Sequence, residues 1–182
     1  MAAIVIDGKD LAERVKSKTA EAAKGLPRKP GLAVILVGDD PASRVYVTGK
    51  EKDCAQCGFL SFEYKLEART TQAELLALIR RLNADDAVDG ILCQLPLPRH
   101  MDETEILNAI DPDKDVDCFH PVNVGKLSIG APVFLPCTPA GVMEILGDCG
   151  ISPFGKRCVV VGRSNIVGKP MSMLLTQADG TV

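Results

Sequence analysis

The sequence predicts an α/β protein with a parallel sheet, followed by the first part of a second α/β domain. Strand and helix patterns alternate along the 182 residues, which favours right-handed crossovers between parallel strands. Residues 31–37 form a continuous apolar run closed by Gly38, as expected for a strand that is buried on both faces. With 46% apolar and 25% charged residues, a chain of this length can bury a sizeable core without disulfides.

Composition argues against several other classes of protein. A net charge of -3 disfavours nonspecific nucleic-acid binding, and the absence of Trp disfavours a stacking platform for single strands. No apolar run approaches the roughly 20 residues that span a bilayer, and residues 1–7 lack the features of a secretory signal. The seven cysteines are odd in number and scattered, which is typical of free thiols in a reducing compartment. We therefore expect a cytoplasmic protein without membrane or nucleic-acid partners.

The first 110 residues contain three strand patterns, each followed by a helix pattern. Asp40 and Pro41 supply an N-cap and a proline at the first helical position, and Thr70 and Thr71 offer a cap for the next helix. In order, we expect a helix at 10–25, a strand at 31–37, a helix at 40–58, a strand at 60–66, a helix at 72–83, a strand at 88–92 and a short helix at 102–110.

The second half of the chain changes character after residue 110. Residues 111–139 are rich in turns and show little periodicity, so we expect an irregular segment that crosses between domains. We then expect a helix at 139–149, a strand at 157–161, a loop at 162–170 and a helix at 170–178. One strand–helix unit cannot complete a doubly wound domain, so the second domain is expected to be incomplete.

One face of the helix at 40–58 carries candidate chemistry. Ser43, Tyr46 and Lys50 are spaced three and four residues apart, so they share a face that continues to Cys54 and Cys57. A lysine that is half-buried in a cleft has a lowered pKa and can transfer protons. Spacing alone would equally suit a solvated lysine and an ordinary packed tyrosine.

Two further candidates follow strand patterns. Gln94 lies at the carboxyl end of the third strand, where open α/β sheets bind ligands, although it could simply cap the loop backbone. Asp115 and Asp117 alternate along an extended segment, where a carboxylate could accept paired N–H donors from a heterocycle or remain a solvated loop charge. His100 and His120 have no partners at metal-ligand spacing, and no metal site is expected.

A glycine turn between a strand and a helix suggests a phosphate site. Gly162 follows the apolar strand and Gly168 precedes the helix, a layout that directs backbone N–H groups at a phosphate. The turn departs from the G-x-G-x-x-G pattern because Arg163 and Ser164 follow the first glycine. The Arg163 guanidinium could pair with a phosphate, including a 2′-phosphate, whereas the alternative is a routine surface loop.

Five segments together resemble the bifunctional methylenetetrahydrofolate dehydrogenase/methenyltetrahydrofolate cyclohydrolase family. The resemblance covers essentially the whole chain in order, so it outweighs the alternatives for each motif taken singly. The segments are VGDDPAS at 37–43 with Tyr46 and Lys50, GILCQLPLP at 90–98, KDVD at 114–117, PCTP at 136–139 and VGRSNIVGKP at 161–170.

The resemblance implies a parallel α/β folate-binding domain over residues 1–120 and the first part of a Rossmann-like NADP-binding domain over 121–182. It implies oxidation of 5,10-methylenetetrahydrofolate with NADP to 5,10-methenyltetrahydrofolate, and hydrolysis of that product to 10-formyltetrahydrofolate, in one-carbon metabolism. Tetrahydrofolate derivatives would be the ligands and the full-length form a homodimer.

The resemblance also implies roles for single residues. Lys50 matches the catalytic lysine, Tyr46 helps to position the folate, and Gln94 tunes the lysine. The substrate group is completed by Asp117, which anchors the pterin, and Ser43. The NADP group comprises Gly162, Arg163, Ser164, Gly168 and Thr138.

Two departures from the family pattern are visible. Cys118 stands where the family has glycine, so the loop would be strained if this position needs a positive φ. Family members are also considerably longer. Three alternatives therefore stay open: a folate-binding form without dehydrogenase turnover, another two-domain NAD(P)-dependent dehydrogenase, and a thiol-redox module that uses Cys54 and Cys57.

Overall fold

The computed structural model describes residues 5–182, and for Ala42 it describes only the backbone. Most of the segment inspected for a secretory signal, residues 1–4, lies outside the described residues. The elements are α1 (Gly8–Ala23), β1 (Gly31–Val37), α2 (Pro41–Cys57), β2 (Leu60–Leu66), α3 (Gln72–Asn83), β3 (Gly90–Cys93), α4 (Glu103–Asn108), α5 (Pro121–Ser128), α6 (Cys137–Asp148) and α7 (Gly168–Gln177).

Three parallel strands form the sheet, in the order β2-β1-β3. The central strand β1 is buried on both faces, as its continuous apolar run predicts. Ile35 points to the face covered by α3 and α4, where Leu75, Ile79 and Ile106 are completely buried. The opposite face packs Val34, Leu36 and Leu92 against Val47 of α2. The helix α2 is thereby held over the sheet, and the α/β prediction is confirmed.

Helix caps fall where the sequence predicts them. The Asp40 side chain accepts a hydrogen bond from Ser43 N, Pro41 opens α2, and Gly58 ends the helix with a φ of 79°. Thr71 and Glu74 form a reciprocal capping box at the start of α3. These local signals fix the beginnings of two helices that pack on opposite faces of the sheet.

The segment 111–139, expected to be irregular, contains the helix α5. Pro121 occupies its first turn, and Nδ1 of His120 accepts a hydrogen bond from Val122 N. Asn123 and Leu127 are fully buried in it. A helix of eight residues buries so few side chains that it leaves little apolar periodicity to detect.

The strand expected at 157–161 does not form. Among the described residues, only Thr181 pairs with this segment, through a single bridge to Arg157. Val159 and Val161 are 86% and 99% exposed, so the strong β-propensity of the run is not matched by any neighbour that would bury it. The boundaries of α1, α2, β3, α4, α6 and α7 also differ slightly from those predicted, as is usual for the ends of elements.

A bidentate ion pair joins α1 to the far end of α6. Arg14 Nη1 donates to Asp148 Oδ1 at 2.7 Å, and Nη2 donates to Oδ2 at 2.8 Å. Arg14 Nε also donates to Asp10 Oδ2, which orients the guanidinium. Among residues 5–182, none of the helices is both long and apolar enough to cross a membrane.

Candidate active site

Lys50 and Gln94 meet above the carboxyl ends of β1 and β3. Gln94 follows β3 directly, and its backbone N–H donates to Ile35 O at 2.9 Å, which fixes the residue to the second half of β1. Its side-chain Nε2 donates to Leu95 O at 2.8 Å, so Oε1 turns the other way and accepts from Lys50 Nζ at 3.1 Å. The amine of Lys50 is therefore held by an amide whose own orientation is set.

Burial lowers the pKa of Lys50. The side chain is half-buried, and loss of water around the ammonium outweighs the attraction of Asp117, which acts in the opposite direction together with Cys137 and Cys54. A lowered pKa increases the fraction of neutral amine near neutral pH. The neutral amine can accept a proton, whereas the ammonium cannot.

Asp117 is the carboxylate whose charge acts on the Lys50 amine. Burial raises its pKa to about 6, the Asp115 charge adds to that increase, and Lys50 opposes it. Cys137, the first residue of α6, places its Sγ 4.0 Å from Asp117 Oδ1. Burial also raises the pKa of the Cys137 thiol, which keeps it a neutral donor toward the carboxylate.

Cys137 was not among the candidate residues, although it lies within the PCTP segment. It borders a cavity of about 440 Å³ together with Lys50, Leu92 and Val116. The only sequence signal for it was membership in a recognised motif, because a cysteine between two prolines has no distinctive spacing. The apolar wall of this cavity accounts for the partial desolvation of Lys50.

Two other candidates on α2 are placed differently from one another. Ser43 is 3% exposed, and its Oγ donates to Asp40 Oδ2 at 2.9 Å, so it closes the helix cap. Tyr46 lies one turn before Lys50 and is 65% exposed, which leaves its ring accessible to a flat ligand. The substrate roles of both residues stay predictions.

The glycine turn has the close packing that a phosphate site needs. Gly162 has a φ of 151°, and a Cβ at Gly168 would lie 2.6 Å from Gly162 O, so the start of α7 lies directly against the turn. Ser164 Oγ accepts from the backbone N–H groups of Val167 and Gly168, both at 3.2 Å. Arg163 is exposed beside the turn. These residues fit the phosphate-bearing end of a dinucleotide.

Thr138 is exposed in the first turn of α6, next to Cys137. It therefore lies on the same helix end as a residue in contact with Asp117. Its predicted place on the nicotinamide side of the cleft stays a prediction.

Cys118 stands where the family has glycine, and it adopts the left-handed backbone conformation that glycine favours. Its φ is 58°, and its side chain is completely buried in a cluster with Leu127 and Met171. Cys118 N donates to Asp115 O at 3.2 Å, which closes a turn around Asp117. Asp117 nevertheless lies close enough to Lys50 to influence its pKa.

The remaining thiols show no reactive pairing. Cys54 and Cys57 are free and buried, and burial raises the pKa of both. A thiol with a raised pKa is a poor nucleophile. Over residues 5–182, no group of three or more His, Cys, Asp or Glu side chains is arranged to hold a metal ion.

Comparison with known proteins gives matches over nearly the whole chain. Residues 6–117 match the model of the tetrahydrofolate dehydrogenase/cyclohydrolase catalytic domain, and residues 136–182 match that of the corresponding NAD(P)-binding domain. The bifunctional protein FolD of Acetivibrio thermocellus is 61% identical over 185 residues, and that of Anaeromyxobacter dehalogenans is 58% identical over 182. These alignments cover 100% and 98% of this chain. The chain spans about 65% of the length of the Acetivibrio thermocellus relative and 64% of the other.

Solved structures give the same result. The bifunctional FolD of Campylobacter jejuni superposes with a TM-score of 0.94 at 49% identity, covering 99% of this chain and 65% of that one. The Trypanosoma brucei methylenetetrahydrofolate dehydrogenase-cyclohydrolase, solved with NADP and an inhibitor, has a TM-score of 0.94 at 41% identity. The match covers 100% of this chain and 64% of the Trypanosoma brucei chain.

Proposed function

Because the chain belongs to the tetrahydrofolate dehydrogenase/cyclohydrolase family, we propose that the protein oxidises 5,10-methylenetetrahydrofolate with NADP and hydrolyses the resulting 5,10-methenyltetrahydrofolate to 10-formyltetrahydrofolate. The observation that carries this proposal is the hydrogen bond between Lys50 Nζ and Gln94 Oε1, beside Asp117. Family membership disfavours a different two-domain dehydrogenase. The buried thiols of Cys54 and Cys57 argue against a redox module.

The hydrolytic step requires a proton acceptor that carries no negative charge. Methenyltetrahydrofolate is an amidinium-like cation, so attack by water must be accompanied by removal of a proton. A neutral Lys50 amine, oriented by Gln94, accepts this proton without trapping the cation as a strongly anionic pocket would. Burial lowers the pKa of Lys50, which supports this role.

Asp117 is suited to anchor the substrate. Its carboxylate can accept paired N–H donors from the pterin ring, and with a pKa of about 6 it is largely ionised near neutral pH. The exposed ring of Tyr46 offers a stacking surface one helical turn from Lys50. Ser43 contributes indirectly, since its hydroxyl fixes the first turn of α2.

NADP is the proposed cofactor of the oxidation. Gly168 lets the start of α7 pack directly against Gly162, which brings the turn and the helix N-terminus together. Arg163 supplies a guanidinium for a phosphate, and Ser164 shapes the turn. Thr138 is proposed to flank the nicotinamide. When bound, NADP supplies the acceptor for a hydride from the folate methylene carbon.

We also propose the division of the chain into a folate-binding domain over 1–120 and the beginning of an NADP-binding domain over 121–182. The two separately matched segments, 6–117 and 136–182, support this division. We also propose that the full-length form is a homodimer, as the family resemblance implies. We propose a cytoplasmic location, which the free thiols support.

Replacement of Lys50 tests the proposed function. We expect Lys50→Met in the full-length protein to reduce hydrolysis of methenyltetrahydrofolate by at least ~100-fold, because no other amine replaces the proton acceptor. The rate is measured from the loss of methenyltetrahydrofolate absorbance. The control is Lys52→Met, which removes an exposed lysine from the same helix and should leave the rate unchanged. An unchanged rate in Lys50→Met would refute the assigned role.

A further inference from the structure

Asp115 is a buried carboxylate two residues before Asp117, and its side chain contacts neither Lys50 nor Gln94. It is 3% exposed. Oδ1 accepts from Phe119 N at 3.2 Å, and Oδ2 accepts from His120 N at 2.9 Å. A third donor, Asn123 Nδ2, reaches Oδ2 at 2.9 Å. The carboxylate is therefore held by N–H groups from both the turn and α5.

Asn123 completes this arrangement from the first half of α5. Its side chain is fully buried, and Nδ2 donates to Pro112 O at 2.7 Å as well as to Asp115. Its Oδ1 is buried without a hydrogen-bond partner among the described residues. The two bonds made by Nδ2 therefore fix the amide and tie both ends of the segment 112–115 to α5.

The same carboxylate defines the path of the backbone around Asp117. Cys118 N donates to Asp115 O at 3.2 Å, and the left-handed φ of 58° at Cys118 turns the chain toward Phe119 and His120. Asp117 lies between these two fastened points. Its carboxylate faces Lys50 of α2 and Cys137 of α6.

We propose that Asp115 is a positioning residue for Asp117: its buried carboxylate, held by three N–H donors, fixes the turn 115–118 so that Asp117 faces Lys50. The substrate contact itself belongs to Asp117, and this inference rests on the proposed function in that respect. Loss of the Asp115 carboxylate loosens the turn without removing any group proposed to touch the ligand.

The charge of Asp115 has a second effect on Asp117. The titratable groups that face Asp117 are Lys50 on α2, Cys137 on α6, Cys93 on β3 and Asp115 on its own turn. Burial is the main cause of the raised pKa of Asp117, and the like charge of Asp115 adds to it. Neutralising Asp115 while also exposing the loosened turn should lower the pKa of Asp117.

The test is Asp115→Asn in the full-length protein. The amide has the size of the carboxylate but directs an NH₂ group at N–H donors, so at least one hydrogen bond is lost. We expect KM for methenyltetrahydrofolate to rise ~10- to 100-fold with a smaller change in kcat, because Asp117 contributes binding. We also expect the Asp117 titration midpoint, followed by carboxyl ¹³C NMR, to move to lower pH. Asp113→Asn, an exposed change in the same loop, should alter neither quantity.

A milder variant keeps the test decisive if Asp115→Asn does not fold. Asn123→Ser removes one donor and retains the charge, so we expect a several-fold rise in KM and a smaller shift of the Asp117 midpoint to lower pH, which comes from loosening of the turn alone. A wild-type KM in a folded Asp115→Asn protein, or in Asn123→Ser when the first variant is unfolded, would overturn the inference. Wild-type protein without tetrahydrofolate turnover would instead refute the proposed function. In that case the Asp117 midpoint of Asn123→Ser decides whether the Asp115 arrangement positions Asp117, because this variant keeps the Asp115 charge, and an unmoved midpoint in the folded variant would overturn the inference.

Discussion

Asp117 is a buried carboxyl group whose ionisation opposes folding. Burial raises the pKa of its carboxyl group from the usual range to about 6, so the charged form is less stable in the folded protein than in the unfolded chain. The folded state therefore binds this proton more tightly. Stability from this group is fully present at pH values below the unfolded pKa and is lost as the pH rises to about 6.

Asp117→Asn should therefore stabilise the protein while impairing it. Above pH 6 we expect the free energy of unfolding to rise by about 2–3 kcal/mol, because asparagine resembles the protonated acid. Near pH 3 the gain should vanish. Urea unfolding at several pH values measures this, with Asp113→Asn as the exposed control. A variant that is less stable than wild type at pH 8 would contradict the expected sign.

Single residues also show how far sequence reasoning reaches. Lys50 was identified as a candidate from helical spacing, and its contact with Gln94 spans 44 positions, so only the strand order could place the two together. Cys137 was missed because its position beside Asp117 depends on where α6 begins. The left-handed conformation of Cys118 could be anticipated only from the family's glycine.

At the scale of elements, cap signals predicted helices better than periodicity did. The starts of α2 and α3 were predicted from Asp40 and Thr71, whose side chains bond the first helical turn. The helix α5 was missed although its cap residue His120 and Pro121 are visible in the sequence. The apolar run at 159–161 predicts a strand that does not form, because a segment of high β-propensity becomes a strand only beside a neighbouring strand.

Two cap replacements separate stability from activity at this scale. Asp40→Ala and Thr71→Ala should each lower the free energy of unfolding by ~1 kcal/mol, because each leaves backbone N–H groups without a partner. Only Asp40→Ala should also lower methenyltetrahydrofolate hydrolysis several-fold, since α2 carries Lys50 whereas α3 lies on the other face of the sheet. Urea unfolding and the hydrolysis assay check this pair. Equal loss of activity in both variants would contradict it.

At the scale of the whole molecule, the two halves of the chain are unequally built. The described residues up to 117 form a three-stranded parallel sheet with helices on both faces, whereas the segment 157–161 has a single bridging partner, Thr181, among the described residues. The α/β class followed from the alternation of strand and helix patterns. The absence of a strand at 157–161 could not be predicted, because it depends on which neighbours are present.

This inequality predicts different affinities for the two ligands. We expect the 182-residue chain to bind a tetrahydrofolate derivative but to bind NADP at least about tenfold more weakly than the full-length protein, since one glycine turn supplies its phosphate contacts. Calorimetric titration of both forms with each ligand measures the two affinities. Equal NADP affinity of the two forms would contradict this expectation.

The helix α6 is held by one side-chain contact at each of its ends. Its 12 residues span about 18 Å, with Cys137 against Asp117 at one end and Asp148 locked to Arg14 at the other. A helix held at both ends can tilt only if one of the two contacts breaks. The outer attachment is an ion pair at the surface and weakens with salt. The inner contact has a neutral thiol as its donor, so it depends less on salt. Higher ionic strength should therefore let α6 tilt more freely about its Cys137 end, beside Asp117.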